Sequence, residues 1–204
     1  MSRTTPAADG TIAQKYTSKS LERKLENKVA LQVELGWPAE PKRAMICLPA
    51  GMTDALGGQL LNDVLPGILT LPVELVILGK GSSSYGTLFT RLVREHKHRI
   101  AIIPAKEAAI RAMYAAADIG LFLAAPGEQE ELTDCLLYGA IPVSLPSPIL
   151  EDYNPNQESG NAFLYEQENP WQCYGALVRS LETYRFPFDW RTIQKHCMET
   201  VRID

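Results

Sequence analysis

The sequence predicts an α/β domain built on one parallel sheet flanked by helices, and three observations predict it. Short apolar runs of four to six residues recur along the chain. Glycine or proline closes most of them, and a segment with helical apolar spacing separates each from the next. Runs of this kind suit strands buried on both faces. Strands alternating with helices require a parallel sheet with right-handed crossovers. At 204 residues the chain is long enough for one sizeable domain and too short for two of ordinary size.

The elements follow in order. Residues 1–10 are polar, with Thr, Pro and Ala, and are expected to be disordered; a single domain is expected over 11–204. Ser20 to Leu35 reads as a helix with Leu21, Leu25, Val29 and Leu31 on its apolar face, stopped by Gly36 and the prolines Pro38 and Pro41. The five apolar runs are Ala44–Leu48, Val73–Leu78, Ile100–Ile103, Ile119–Ala124 and Ile141–Leu145. Between them lie helices at Leu56–Leu69, Tyr85–His96, Glu107–Ala116 and Glu130–Tyr138. Ser147–Gly160 reads as a loop and Ala162–Tyr165 as a last short strand. Asn169-Pro170 starts a helix to Tyr184, with Asn as cap and Pro at the first helical position. Pro187 breaks it, and a final helix runs from Asp189 to Val201; residues 169–204 thus form a helical tail.

Composition excludes several classes. A net charge of −4 argues against nucleic acid and anionic membrane as partners. No stretch approaches the roughly 20 apolar residues that a membrane helix needs. Cys47, Cys135, Cys173 and Cys197 form no C-x-x-C pair, and two sit in apolar stretches. They read as buried free thiols of a cytoplasmic protein, with no metal site implied.

In an open parallel sheet, ligands sit beyond the carboxyl ends of the strands, near helix amino termini. The candidate loops are therefore Pro49–Gly58, Gly79–Tyr85, Pro104–Glu107, Ala125–Glu131 and Leu145–Asp152. Of these, Gly79–Tyr85 has the strongest character of a ligand loop: Gly79 and Gly81 let backbone approach an anion, and Lys80 adds charge beside Ser82. Plain turn chemistry is the simpler reading of the same glycines. Glu128, Glu130 and Glu131 read first as acids complementing a helix dipole, and general acid/base work is the sharper alternative. The basic stretch from Arg91 to Arg99 reads as the solvated end of a helix before it reads as an anion site. No Ser-His-Asp or Cys-His set can be argued from spacing, so no catalytic residue and no cofactor is assigned.

Several segments carry a resemblance. Glu26-Asn27-Lys28-Val29-Ala30-Leu31-Gln32, Leu78-Gly79-Lys80-Gly81, Ile110 to Phe122, Tyr138-Gly139-Ala140-Ile141-Pro142-Val143, Gly160-Asn161-Ala162-Phe163 and Tyr184 to Met198 resemble, in order and spacing, the second domain of bacterial glycogen and starch synthases. The likeness runs from about Asp9 to the end. It implies a single Rossmann-like domain, the C-terminal half of the two-domain GT-B fold. In that family this half binds ADP-glucose, whose glucose is passed to an α-1,4-glucan. It also implies Gly79, Lys80, Gly81, Ser82 and Glu107 as nucleotide contacts and Glu128 as a displaced acidic residue.

The same alignment removes most of the chemistry. The family's diphosphate-neutralising Arg and Lys fall on Gly51 and Leu56, and its donor-sugar Glu falls on Pro126. The family's phosphate-facing glycines fall on Pro148 and Ile149, and the Tyr placed near adenine becomes Ala105. A leaving diphosphate needs cations where its charge develops. The expectation is a domain inactive alone, acting as a binding or interaction module that holds ADP or ADP-glucose weakly or not at all. The alternative is one half of a split glucosyltransferase completed by a separate N-terminal-domain protein. A homodimer or such a complex is expected, through an apolar patch near Pro49–Gly58.

Overall fold

The computed structural model describes residues 3–127 and 130–201. In chain order the elements are α1 (Lys24–Glu34), β1 (Ala44–Leu48), α2 (Gly58–Thr70), β2 (Val73–Leu78), α3 (Ser83–Glu95), β3 (Ile100–Ile103) and α4 (Glu107–Ala116). They continue with β4 (Ile119–Leu121), α5 (Glu130–Leu137), β5 (Ile141–Ser144), β6 (Phe163–Leu164), α6 (Pro170–Tyr184) and α7 (Pro187–Thr200). The strands form one parallel sheet in the order β3-β2-β1-β4-β5-β6. After β3 the chain returns to pair β4 with the free side of β1. The strand order therefore reverses between β1 and β4, where Rossmann-type sheets open a ligand crevice. Every position of β1 and β2 is buried, because helices cover both faces.

The first three strands have the expected bounds. β4 stops at Leu121 instead of Ala124. Phe122 N still donates to Val143 O at 3.0 Å, and then the Leu123 backbone turns to pack against Gly57. α7 begins at Pro187, not Asp189. The proline that ends one helix is the first residue of the next, where its missing N–H leaves nothing unpaired.

Two expectations are corrected. Residues 3–10, expected to be disordered, pack on the domain: Pro6 and Asp9 are buried. The Asp9 carboxylate accepts from Tyr138 Oη at 2.6 Å and from Thr11 N and Oγ1, and it pairs with Arg111 at 3.6 Å. A buried carboxylate with those partners holds its segment down, which composition alone does not register. The other correction is the face of α1. Leu25 and Val33 are exposed, while Lys24, Asn27, Lys28, Leu31 and Gln32 are buried.

Each of those buried polar groups has partners. Lys24 Nζ donates to Tyr114 O and Ala115 O, at the end of α4. Gln32 Nε2 donates to the Glu74 carboxylate at 2.9 Å. Lys28 Nζ meets Asp118 Oδ2 at 2.6 Å and also donates to Pro41 O, Arg43 O and Tyr184 Oη. Long side chains thus deliver charge to backbone carbonyls at the amino edge of the sheet.

Burial pushes the Lys24 ammonium down to about 7, helped by Lys28 and opposed by Asp118. An unfolded lysine titrates near about 10.4. Between these values the unfolded chain binds more protons than the folded one, so stability rises with pH. The buried Cys173 thiol, pushed up to about 12, works the other way once unfolded thiols ionise above about pH 8.5. The folded state is therefore expected to gain about 1 kcal/mol between pH 7 and 8.5, and Lys24→Met to remove that slope. Urea midpoints of both proteins at the two pH values check it.

Candidate functional site

The loops at the carboxyl ends of the strands do meet, but they close on one another. After β1, Met52 N donates to Lys80 O at 3.1 Å, and Ser82 N donates back to Met52 O at 3.0 Å. This rung joins the β1 loop to the β2 loop. Further on, a short turn at Asp54–Leu56 is capped by Thr53, whose Oγ1 accepts from Leu56 N. Tyr85 Oη donates to Asp54 Oδ1 at 2.7 Å, tying the turn to α3.

Three glycines make this closure possible. Gly51, Gly57 and Gly81 have φ of +71°, +87° and +126°, conformations that favour glycine. A Cβ on Gly51 would lie 2.2 Å from Lys80 O, one on Gly57 2.3 Å from Leu123 O, and one on Gly81 1.9 Å from Met52 O. Backbone from the β1, β2 and β4 ends is in direct contact at these points.

Between the β1 and β4 loops lies a hollow of about 10 Å³, lined by Met52, Leu56, Phe122, Leu123 and small neighbours. That is room for roughly one water. Among the described residues no Lys or Arg lines it.

The expected nucleotide contacts divide into two groups. Gly79 continues the sheet ladder, its N–H donating to Ile103 O at 2.8 Å. Lys80 is 62% exposed and reaches Glu131 at 3.7 Å. Ser82 Oγ lies 3.0 Å from Ser84 Oγ. Glu107 opens α4 instead and pairs with Arg111 in a separate hollow of about 190 Å³. Glu130 and Asp134 also line that hollow, and Arg111 is shared with Asp9. Burial and the neighbouring Glu130 and Glu131 raise the Asp134 carboxyl, opposed by Arg3 and Arg111. Arg3 and Arg111 thus face Glu107, Glu130 and Asp134 across this hollow. Glu128 lies outside the described residues.

The loop after β5 offers few free amides. Leu150 N donates to Ser147 O, and Glu151 N donates to Asn161 Oδ1 at 2.8 Å. Pro148 has no N–H. The basic stretch is structural at its end: Arg99 donates to Leu71 O and Val73 O, closing the carboxyl end of α2 and the start of β2. Residues 49–58 expose no large apolar side chain; the exposed aromatics are Trp171, Phe186 and Phe188. Sequence reading missed a larger cavity, about 460 Å³, at the opposite edge beside Lys28 and Trp190. Lys24 and Lys28, four residues apart on the face of α1 that also carries Leu31, were the available signal.

Comparison with known proteins agrees with this fold. No protein-family model matches the chain. A glycogen synthase of Gloeobacter violaceus is 30% identical over 204 residues, covering 95% of this chain and 44% of that protein. The chain thus spans less than half the length of this relative. The catalytic domain of starch synthase IV from Arabidopsis thaliana, bound to ADP and acarbose, superposes with a TM-score of 0.82 at 21% identity. That match covers 98% of this chain and 43% of the other. The C-terminal domain of a group 1 glycosyl transferase (LpcC) from Francisella tularensis gives a TM-score of 0.66 at 15% identity, covering 86% of this chain and 91% of that one. Among the described residues, no helix is long and apolar enough to cross a membrane. By sequence the chain is similar to the C-terminal part of glycogen synthases, and its fold is that of the C-terminal half of the GT-B architecture.

Proposed function

We propose that this domain does not transfer glucose by itself and works as a binding or interaction module on a nucleotide-sugar fold. The observation that carries the proposal is the closed crevice between β1 and β4. Its volume is about 10 Å³. Ligand pockets usually measure roughly 300–1,000 Å³. Opening it means separating the Gly57 and Leu123 backbones, which are in direct contact. Even opened, it presents Gly51 and Leu56 where the resembling enzymes present cations. The charge that a departing diphosphate requires is missing from the place where it develops.

Residual nucleotide contact, if the fold keeps any, belongs to the exposed Lys80 and Ser82 at the outer rim of the β2 loop. An interaction role is supported by the aromatics that remain uncovered, Trp171 at 81% exposure among them. The test is transfer of labelled glucose from ADP-glucose to glycogen. The expected result is no incorporation with the purified chain. Incorporation by the chain alone overturns the proposal. Incorporation only after adding the N-terminal domain of a glycogen synthase establishes a split glucosyltransferase instead.

A further inference from the structure

A cavity far larger than the hollow between β1 and β4 lies away from it, at the amino edge of the sheet. Its position is set by Pro41 and Lys42 ahead of β1, Asp118 ahead of β4, and the turn from α6 to α7. Its volume is about 460 Å³, large enough for an organic molecule of one or two rings. The floor is made by Leu21, Ala116 and Trp190 around the Lys28–Asp118 ion pair. That pair is internally neutral and already hydrogen-bonded, so it leaves no net charge to attract a ligand.

Trp190, 4% exposed, belongs to that floor, and the rim is what the fold leaves unused. At the rim stand Lys42, Arg185 and Arg191 against the single acid Glu22. Arg185 is held by Glu182, but Lys42 and Arg191 have no ion-pair partner among the described residues. The rim therefore carries uncompensated positive charge above an aromatic and aliphatic floor.

We propose that this cavity is a binding site for a small organic anion, an aromatic or aliphatic body bearing one carboxylate or phosphate. The body packs on Leu21, Trp190 and Pro187, and the anionic group lies at the rim against Arg191 and Lys42. Arg191 suits this role because its planar fork binds either oxyanion in two-point fashion. The proposal rests on the cavity and is independent of the loss of donor chemistry at the other edge.

The probe is anilinonaphthalene sulfonate, an aromatic anion whose fluorescence rises on entering an apolar site, titrated into the full chain. The expected result is one saturable site whose affinity falls about tenfold in Arg191→Glu, the size of a lost charge-assisted contact. Phenyl phosphate or benzoate should displace the probe where phenol at the same concentration does not; the stronger of the two identifies the anionic group. Arg191 is exposed, so its substitution leaves the fold intact, which the thermal midpoint verifies. Probe binding unchanged by Arg191→Glu, or displacement by phenol equal to that by phenyl phosphate, overturns the proposal and leaves a water-filled cavity.

Discussion

Lys28→Met is expected to destabilise the domain by about 3–5 kcal/mol, the effect of removing one partner from a buried ion pair. Lys28 and Asp118 are 1% and 5% exposed, and their charged atoms are 2.6 Å apart. The lysine also closes the carbonyls of Pro41 and Arg43, which lead into β1, and holds the Tyr184 hydroxyl at the end of α6. Asp118 in turn accepts from Met45 N at 2.8 Å, on the first rung between β1 and β4. One ion pair therefore joins α1, the two central strands and the helical tail. Without the lysine, a carboxylate remains in the interior with one amide as partner. Urea unfolding measures the loss. The double substitution Lys28→Met with Asp118→Ala should be less damaging than the sum of the two, because it leaves no lone charge. A loss under about 1 kcal/mol in the single variant would mean that water in the neighbouring cavity screens the pair.

Gly51→Arg, the substitution that an alignment suggests for restoring a phosphate-binding cation, is expected to fail on both counts. It should destabilise by at least about 2–3 kcal/mol and bring no ADP-glucose binding. The new Cβ would stand 2.2 Å from Lys80 O on a backbone at φ +71°, and neither can change without separating the β1 and β2 loops. Gly86→Ala provides the contrast: nothing lies within 4 Å of its added Cβ, and alanine favours the helix by up to about 1 kcal/mol. Thermal midpoints of the two variants should move in opposite directions. A Gly51→Arg protein as stable as the parent would show that the loop rearranges freely, and the closed crevice would lose its meaning.

The sheet was legible because its signal is local. Ala44–Leu48 and Ile100–Ile103 are continuous apolar runs and Val73–Leu78 is broken only by Glu74, and strands covered on both faces leave that pattern in the chain. The face of α1 was not legible. Its buried Lys24 meets carbonyls 90 and 91 residues away at Tyr114 and Ala115, and periodicity counts a lysine as solvent-facing. The packing of residues 3–10 likewise depends on Asp9 reaching Tyr138, across 129 positions of sequence.

The candidate loops followed from topology and lie where expected. Their mutual closure did not follow, because it depends on three left-handed glycines whose conformations no spacing rule reports. The amino-edge cavity was invisible for a related reason: its walls come from α1, the segment before β1, and the α6–α7 turn, which no motif links.

The central claim is that the nucleotide-sugar crevice is closed, and calorimetric titration with ADP-glucose tests it most directly. The chain and its Arg191→Glu variant are titrated in parallel to several millimolar, so that any anion binding at the amino edge is separated from binding at the crevice. The account predicts no heat in the variant, which places any crevice Kd above the millimolar range, weaker than about −4 kcal/mol. Saturable ADP-glucose binding that persists in the variant would contradict it, and would mean that the loops at Gly51 and Gly81 open to admit the donor.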